Sequence, residues 1–547
     1  VRALTGKDTD RLPEEKRRGI SIDLGYAPLD LPDGRRMSLI DVPGHERFVK
    51  TMIAGATGID LFLLVIDAAE GARPQTHEHL AVLRLLGVDR GVVAVTKADA
   101  VDEETLELAI AEAEELVPGA EVVAVSAKTG RGLDELRAAL ARVEVPERTD
   151  DWPTRLYVDR VFTLKGIGTV ATGTLWSGSI GAGDVLRLEP KGREVRIRSV
   201  QVHDEPVDRA ESGQRVAVNL AGVERVEVDR GDALVEPGWF PVSYRLDVRL
   251  DELDDVPAAV TVHLGTSAVP ARVARRGAYA QLRLAEPVVA VRGDRLVLRS
   301  ETTVAGAAVL DPLPPRGLDE ARLAVLEDGD PQQIVRALVH APVSIAALEA
   351  RGLLPPARLA EAVRAATPAG DYLYAESWLA GLRESIASRL TAHAAANPLD
   401  PGLPIAELLP EEPWTPHVLD RLELDRRDGR LYPPGTAAAL GDRAEAAAEL
   451  EARLVQEGIV KLDDRSLGTF LEQQGALRLV GNGYAVSTEL YERGRALLAE
   501  LPEITIASCR DALGVGRRTA QLLLERYDGD GLTRRVGDKR VLRRARD

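Results

Sequence analysis

The string Asp41-Val42-Pro43-Gly44-His45 places an acid, a turn and an imidazole in immediate succession. An acid at the end of a strand can hold a magnesium-bound water, the Gly44 amide can meet a terminal phosphate, and His45 can orient an attacking water. Two further strings extend that chemistry: Thr96-Lys97-Ala98-Asp99 follows the apolar run Val92 to Val95, and Ser126-Ala127-Lys128 follows Val122 to Val125. A carboxylate at Asp99 meets the N1 and exocyclic amine of guanine as a bidentate pair that adenine cannot offer, so the nucleotide expected is GTP, with Mg2+. Each string alone has a bland reading as a turn, a helix cap or a solvated loop. Their order and spacing favour the joint reading.

The elements that position these residues are a succession of short β-rich runs, Met37 to Asp41, Leu61 to Asp67, Val92 to Thr96 and Val122 to Val125, alternating with helical-period segments. That alternation predicts a parallel sheet wrapped by helices, with the motifs at the strand ends where such sheets bind ligands. The pattern breaks at Val145 to Pro153. From Arg155 to about Leu310, closely spaced strands with Gly and Asp turns predict barrels. Asp311 to Arg316 reads as a Pro-stiffened linker, and helices closed by brief hairpins follow in four rough copies, the pattern of winged helices.

Composition narrows the function classes. A net charge of −17 over 547 residues excludes a chain that coats nucleic acid indiscriminately, so an RNA contact must be local. The tail supplies such a patch: residues 510–547 hold eleven Arg or Lys against six Asp or Glu. Arg517 and Arg518 open a helix, whose N-terminal amides can add phosphate contacts, and Arg534, Arg535, Lys539 and Arg540 flank the Gly537-Asp538 turn of a wing. A solvated basic end is the plain alternative. One cysteine, Cys509, excludes a disulfide framework and fits a reducing cytoplasm, and no long apolar run points to a membrane. His77 and His79 fall on different helix faces and read as surface or packing residues.

RGISIDLGYA, DVPGHERFVKTMIAGATGID and TKAD together resemble the selenocysteine-specific elongation factors, specialised relatives of elongation factor Tu. The likeness continues through DRVFTLKGIGTVATGTL, SGQRVAVNLAGV and DRLVLRSETTVAGAAVLDP, and again in ASCRDALGVGRRTAQLLLERYDGDGLTRRVGDKRVLR. It implies a multidomain chain: an α/β P-loop GTPase domain (1–148), two β-barrels (152–237 and 238–315) and four winged helices (318–378, 379–436, 440–494 and 495–547), the last binding RNA. The implied activity is GTP-dependent delivery of selenocysteyl-tRNA to the ribosome at recoded UGA codons, guided by a selenocysteine-insertion hairpin in the mRNA, by a cytoplasmic monomer. By this resemblance Ser21, where threonine is common, joins Asp41 at the magnesium; Thr96, Lys97, Asp99, Ser126, Ala127 and Lys128 hold the base; and His45 positions the hydrolytic water. Asp159, Arg160 and Arg215 are similar to the family's proposed aminoacyl pocket, in which a guanidinium would distinguish an ionised selenol from a serine hydroxyl. Ordinary barrel-surface ion pairs are the alternative for those arginines.

No GxxxxGK(S/T) string occurs in the chain. The resemblance places that loop and its strand just before Val1, so the expectation is a gene record truncated at its start, to be checked by an in-frame GHxDHGKT upstream; a chain dead as a GTPase is the alternative. The loss would leave two parallel strand edges unpaired. A general tRNA-delivering factor explains only the first 315 residues, and a winged-helix DNA-binding regulator only the C-terminus.

Overall fold

The computed structural model describes residues 1–9, 13–18, 21–145, 151–253, 255–366, 368–481 and 483–543. They divide into two compact units, Val1–Ala375 and Glu376–Asp547.

The first unit opens with short helices α1 (Arg2–Thr5) and α2 (Pro13–Arg18), then strands β1 (Gly25–Asp30) and β2 (Arg36–Asp41). Next come α3 (Val49–Ala56), β3 (Phe62–Asp67), α4 (Pro74–Leu86), β4 (Gly91–Thr96), α5 (Glu103–Leu116), β5 (Glu121–Ala124) and α6 (Leu133–Arg142). β3, β4 and β5 form a parallel sheet in that order. Its central strand is a continuous buried apolar run because both faces are covered: Val93 and Val95 join Leu80, Leu83 and Leu106 of α4 and α5, while Val92 and Ala94 join Leu136, Ala139 and Leu140 of α6. Burying each of these valine and leucine side chains contributes roughly 1.5–3 kcal/mol.

β1 and β2 form a separate antiparallel hairpin, and β2 pairs with no strand of the parallel sheet among the described residues. Val65 on β3, beside that unpaired edge, is 56% exposed. No strand is expected over 25–30 from the runs named above, yet one exists there, and Pro28 is tolerated because β1 is an outer strand of a two-stranded ribbon, where a missing amide costs least.

β6 (Arg155–Leu164), β7 (Gly168–Ser177), β8 (Ser179–Gly181), β9 (Val185–Glu189), β10 (Arg193–Val202), β11 (Glu205–Val207), β12 (Arg209–Glu211), β13 (Arg215–Ala221) and β14 (Ala233–Val235) make the first barrel. Six of them run β10-β13-β7-β6-β14-β9, and β9–β10 pairing closes the ring. β15 (Val242–Glu252), β16 (Ala259–Leu264), β17 (Ser267–Arg276), β18 (Tyr279–Val289), β19 (Arg295–Arg299) and β20 (Thr303–Asp311) close the second barrel. Arg155 of β6 pairs with Asp294 at 2.7 Å, both nearly fully buried, and stacks near Tyr157, Trp176 and Phe240, locking barrel to barrel. The second barrel seats on α4, where Arg299 meets Glu78 at 2.6 Å.

At the joint of all three bodies, the Thr57 hydroxyl after α3 donates to the Gly265 carbonyl at 3.1 Å. A Cβ at Gly265 would lie 2.7 Å from the Tyr157 ring, and one at Gly58, whose φ is +82°, would lie 2.4 Å from Trp176 Nε1.

The linker is anchored at its start. Asp311 is fully buried and accepts from Arg322 and Arg351, and the neighbouring Asp247, pushed up to about 6 by burial, shares Arg322. Beyond it, Val343–Ser344 pairs with Tyr372–Leu373 among helices. The second unit begins with helix Glu376–Ala396 and holds three further small antiparallel sheets, each set among helices. The last is the hairpin Thr533–Val536 with Lys539–Leu542, preceded by helix Arg517–Gly529, which buries Leu522, Leu523, Leu524 and Tyr527.

Candidate nucleotide and RNA sites

β2 ends at Asp41, whose Oδ2 accepts from the Thr9 hydroxyl at 2.5 Å. The chain then turns through buried Pro43 to exposed Gly44 and His45. A Cβ on Gly44 would meet nothing within 4 Å, so the space beside its Cα is open. The His45 ring stands edge-on to Phe48, and its Nδ1 accepts from the Arg47 amide at 3.3 Å, which leaves Nε2 as the outward nitrogen. Ser21 is half-buried. The segment after it is held by a residue the sequence reading passes over: buried Glu15 accepts from the Ile22 and Asp23 amides at 3.0 and 3.1 Å. An acid in the first turn of α2 was the available signal, but its partners lie seven and eight residues on.

The other half of the edge is knitted together. Thr96 ends β4 and its hydroxyl donates to the Ile66 carbonyl at 3.1 Å, tying β4 to β3. Lys97 adopts a left-handed backbone, φ 58°, and its Nζ meets Asp67 Oδ2 at 2.6 Å, which lowers the carboxyl and raises the amine. Asp67 is the second residue missed; its strand-end position in β3 was the signal. Fully buried Ser126 donates to Asp99 Oδ1 at 2.6 Å and accepts from the Thr129 amide at 3.1 Å. That hydroxyl, with Lys128 Nζ at 3.9 Å from Oδ2, holds the Asp99 carboxyl below the usual range. Ala127 and Lys128 are exposed beside it. An ionised, oriented carboxylate at the strand ends fits guanine. Asp41 and Ser21 offer the one or two protein oxygens that Mg2+ uses when phosphates and waters supply the rest.

On the first barrel, a bulge in β6 between Val158 and Arg160 lets neighbouring Asp159 and Arg160 serve one site. Arg215 Nη2 lies 2.9 Å from Asp159 Oδ1 while Nη1 contacts Oδ2, and Thr172 and Tyr26 also donate to that carboxylate, at 2.8 and 3.2 Å. Arg160 turns to the first domain, with Nη2 at 2.7 Å from Asp23 Oδ2 and in contact with the Leu24 carbonyl. Tyr26 lies under Arg215, its ring centroid 3.3 Å from Cζ.

In the last helical domain, Arg517 and Arg518 stand exposed at the start of helix Arg517–Gly529, with Arg518 stacked on Tyr484 at 4.3 Å. Arg534, Arg535 and Lys539 are exposed on the hairpin, Lys539 meeting Glu503 at 2.6 Å. Arg540 differs from expectation. It is 5% exposed, its Nε donates to Asp528 Oδ2 at 2.8 Å, and it packs inward because strand alternation turns it opposite to Lys539. Arg544 and Arg546 of the basic tail lie outside the described residues. No helix among the described residues is long and apolar enough to cross a membrane.

Residues 2–146 match the elongation factor Tu GTP binding domain family, 168–235 elongation factor Tu domain 2, 244–316 the beta-barrel domain of the selenocysteine-specific elongation factor, and 496–542 the winged helix of elongation factor SelB. The selenocysteine-specific elongation factor of Escherichia coli is 31% identical over 600 aligned residues, covering 100% of this chain and 96% of its own. That of Desulfomicrobium baculatum is 43% identical over 57% of this chain and 53% of its own. A crystal structure of bacterial selenocysteine-specific elongation factor EF-Sec superposes with a TM-score of 0.74 at 29% identity, over 99% of this chain and 97% of that one.

Proposed function

The chain belongs to the selenocysteine-specific elongation factors, translational GTPases, and from that premise we propose that it carries selenocysteyl-tRNA to a ribosome halted at a recoded UGA, steered by an mRNA hairpin. The observation that carries this is the strand-end carboxylate of Asp99, ionised and aimed by Ser126, in a chain that also ends in an exposed basic helix and hairpin.

Thr96, Lys97, Asp99, Ser126, Ala127 and Lys128 hold the guanine. Asp41, acting through water, and Ser21 hold Mg2+, which when bound neutralises charge on the β- and γ-phosphates. The Gly44 amide faces the terminal phosphate. His45, its Nδ1 engaged and Nε2 outward, orients the hydrolytic water once the ribosome aligns it. Arg160 and Arg215 with Asp159 form the aminoacyl pocket of the first barrel, reading the charge of a selenolate. The four small sheets with their helices make four winged helices over 318–547, and Arg517, Arg518, Arg534, Arg535 and Lys539 of the last contact hairpin phosphates. Tethering near one codon raises the effective concentration there over all others.

The test uses protein expressed from its whole gene. Titration with GTP, GDP and ATP is expected to show guanine preference, and filter binding to prefer selenocysteyl-tRNA over seryl-tRNA and a UGA-adjacent hairpin over random duplex DNA. Equal binding of ATP and GTP, or of the two aminoacyl-tRNAs, overturns the reading.

A further inference from the structure

Arg215 and Arg160 share one face of the first barrel, yet their charges are met differently. Arg215 is compensated within the barrel: both nitrogens meet Asp159, and the two side chains are only 14% and 6% exposed. Arg160 finds no barrel carboxylate among the described residues. Its acceptors are Asp23 Oδ2 and the Leu24 carbonyl, on the segment that joins Ser21 to β1 in a different domain. That segment is itself held by Glu15 through the Ile22 and Asp23 amides, so it has a definite place from which to be moved.

We infer that Asp23 is an intramolecular occupant of the anion seat at Arg160, and that an anionic aminoacyl group enters only when the Ser21–Tyr26 segment withdraws its carboxylate. This rests on the reading of Arg160 as the charge-sensing member of the aminoacyl pocket. Asp23 and an incoming anion would compete for the Nη2 edge of Arg160 and repel each other, so each weakens the other's hold. The Asp23–Arg160 pair is partly exposed, at 42% and 29%, and weak enough to exchange, whereas the buried Arg215–Asp159 pair is not. A neutral hydroxyl cannot compete with a carboxylate for a guanidinium, so a serine ester is rejected at the exchange itself. Linkage then follows: whatever draws Ser21 away favours the anion, and the anion favours that withdrawal by the same factor. Asp23 is thus a positioning residue that couples the switch to the pocket.

The experiment measures dissociation constants for selenocysteyl-tRNA and seryl-tRNA with wild-type, Asp23→Asn, Asp23→Glu and Arg160→Ala protein from the whole gene, each with GDP and with a non-hydrolysable GTP analogue. Asp23→Asn is expected to tighten selenocysteyl-tRNA binding to the GDP form about five-fold, with little change in the GTP form or for seryl-tRNA, and Asp23→Glu to keep the wild-type ratio between nucleotide forms. Arg160→Ala is expected to remove discrimination between the two tRNAs. If Asp23→Asn leaves the GDP form unchanged or weaker while Arg160→Ala still abolishes discrimination, the occupant is wrong and the pocket stands. If Arg160→Ala keeps discrimination, the pocket falls and the occupant with it.

Discussion

At the nucleotide edge Lys97 is held by Asp67 and Asp99 by Ser126, each at 2.6 Å, whereas Arg517, Arg518, Arg534 and Arg535 of the last domain meet no carboxylate among the described residues. Both surfaces are suited to phosphate-bearing ligands, on different terms. Fixed polar groups at strand ends need no reorganisation when the ligand arrives, and an oriented acceptor rejects the wrong base. Solvated guanidiniums add affinity through counterion release, which is indifferent to sequence and falls with salt. On the function proposed above, discrimination among nucleotides would belong to the first region, and adhesion to RNA to the second.

The largest effect should come from the least supported residue of the first region. His45→Ala is expected to lower ribosome-stimulated GTP hydrolysis about 10²- to 10⁴-fold in single-turnover assays while GTP still binds. A normal rate would place the water elsewhere. Asp99→Asn removes a charged acceptor and presents a donor; GTP affinity should fall about 10²- to 10³-fold with xanthosine triphosphate gaining in its place, and a variant that kept GTP preference would deny the edge its selectivity. In the last domain, Arg534→Ala with Arg535→Ala should weaken hairpin binding evenly across sequences and reduce the salt slope by about two. Arg540→Ala should instead leave that slope alone and destabilise the domain by about 1–3 kcal/mol in thermal melts, since Asp528 loses its buried partner. The smallest contrast is in pH. The Asp67 and Asp99 carboxyls are depressed from the usual value, so their stabilising contribution is present above pH 3.8 and fades as the pH falls through their lower folded values; guanidiniums do not titrate there. Carboxyl NMR titration should find both protonating below 3.8.

What the sequence disclosed follows the range of each interaction. Thr96 and Ser126 could be placed at strand ends because the valine runs before them have no other home than a doubly covered sheet. The barrels were legible from turn spacing. β1 was missed, and its Pro28 forbids a central strand but not an outer one. Glu15, Asp67, Asp23 and Tyr26 escaped notice because their meaning lies in partners contributed by other elements, and local composition says nothing about those. Arg540 shows the same limit in reverse: charge is written in the chain, burial is not.

Gly58 and Gly265 set the clearance where α3, the first barrel and the second barrel touch. With rings on two sides, a single methyl there acts as a shim. Gly265→Ala should both strain the β16–β17 turn, where φ is +57°, and hold the joint ajar, readable as a larger radius of gyration in X-ray scattering, so the tightness of the joint hangs on two missing side chains.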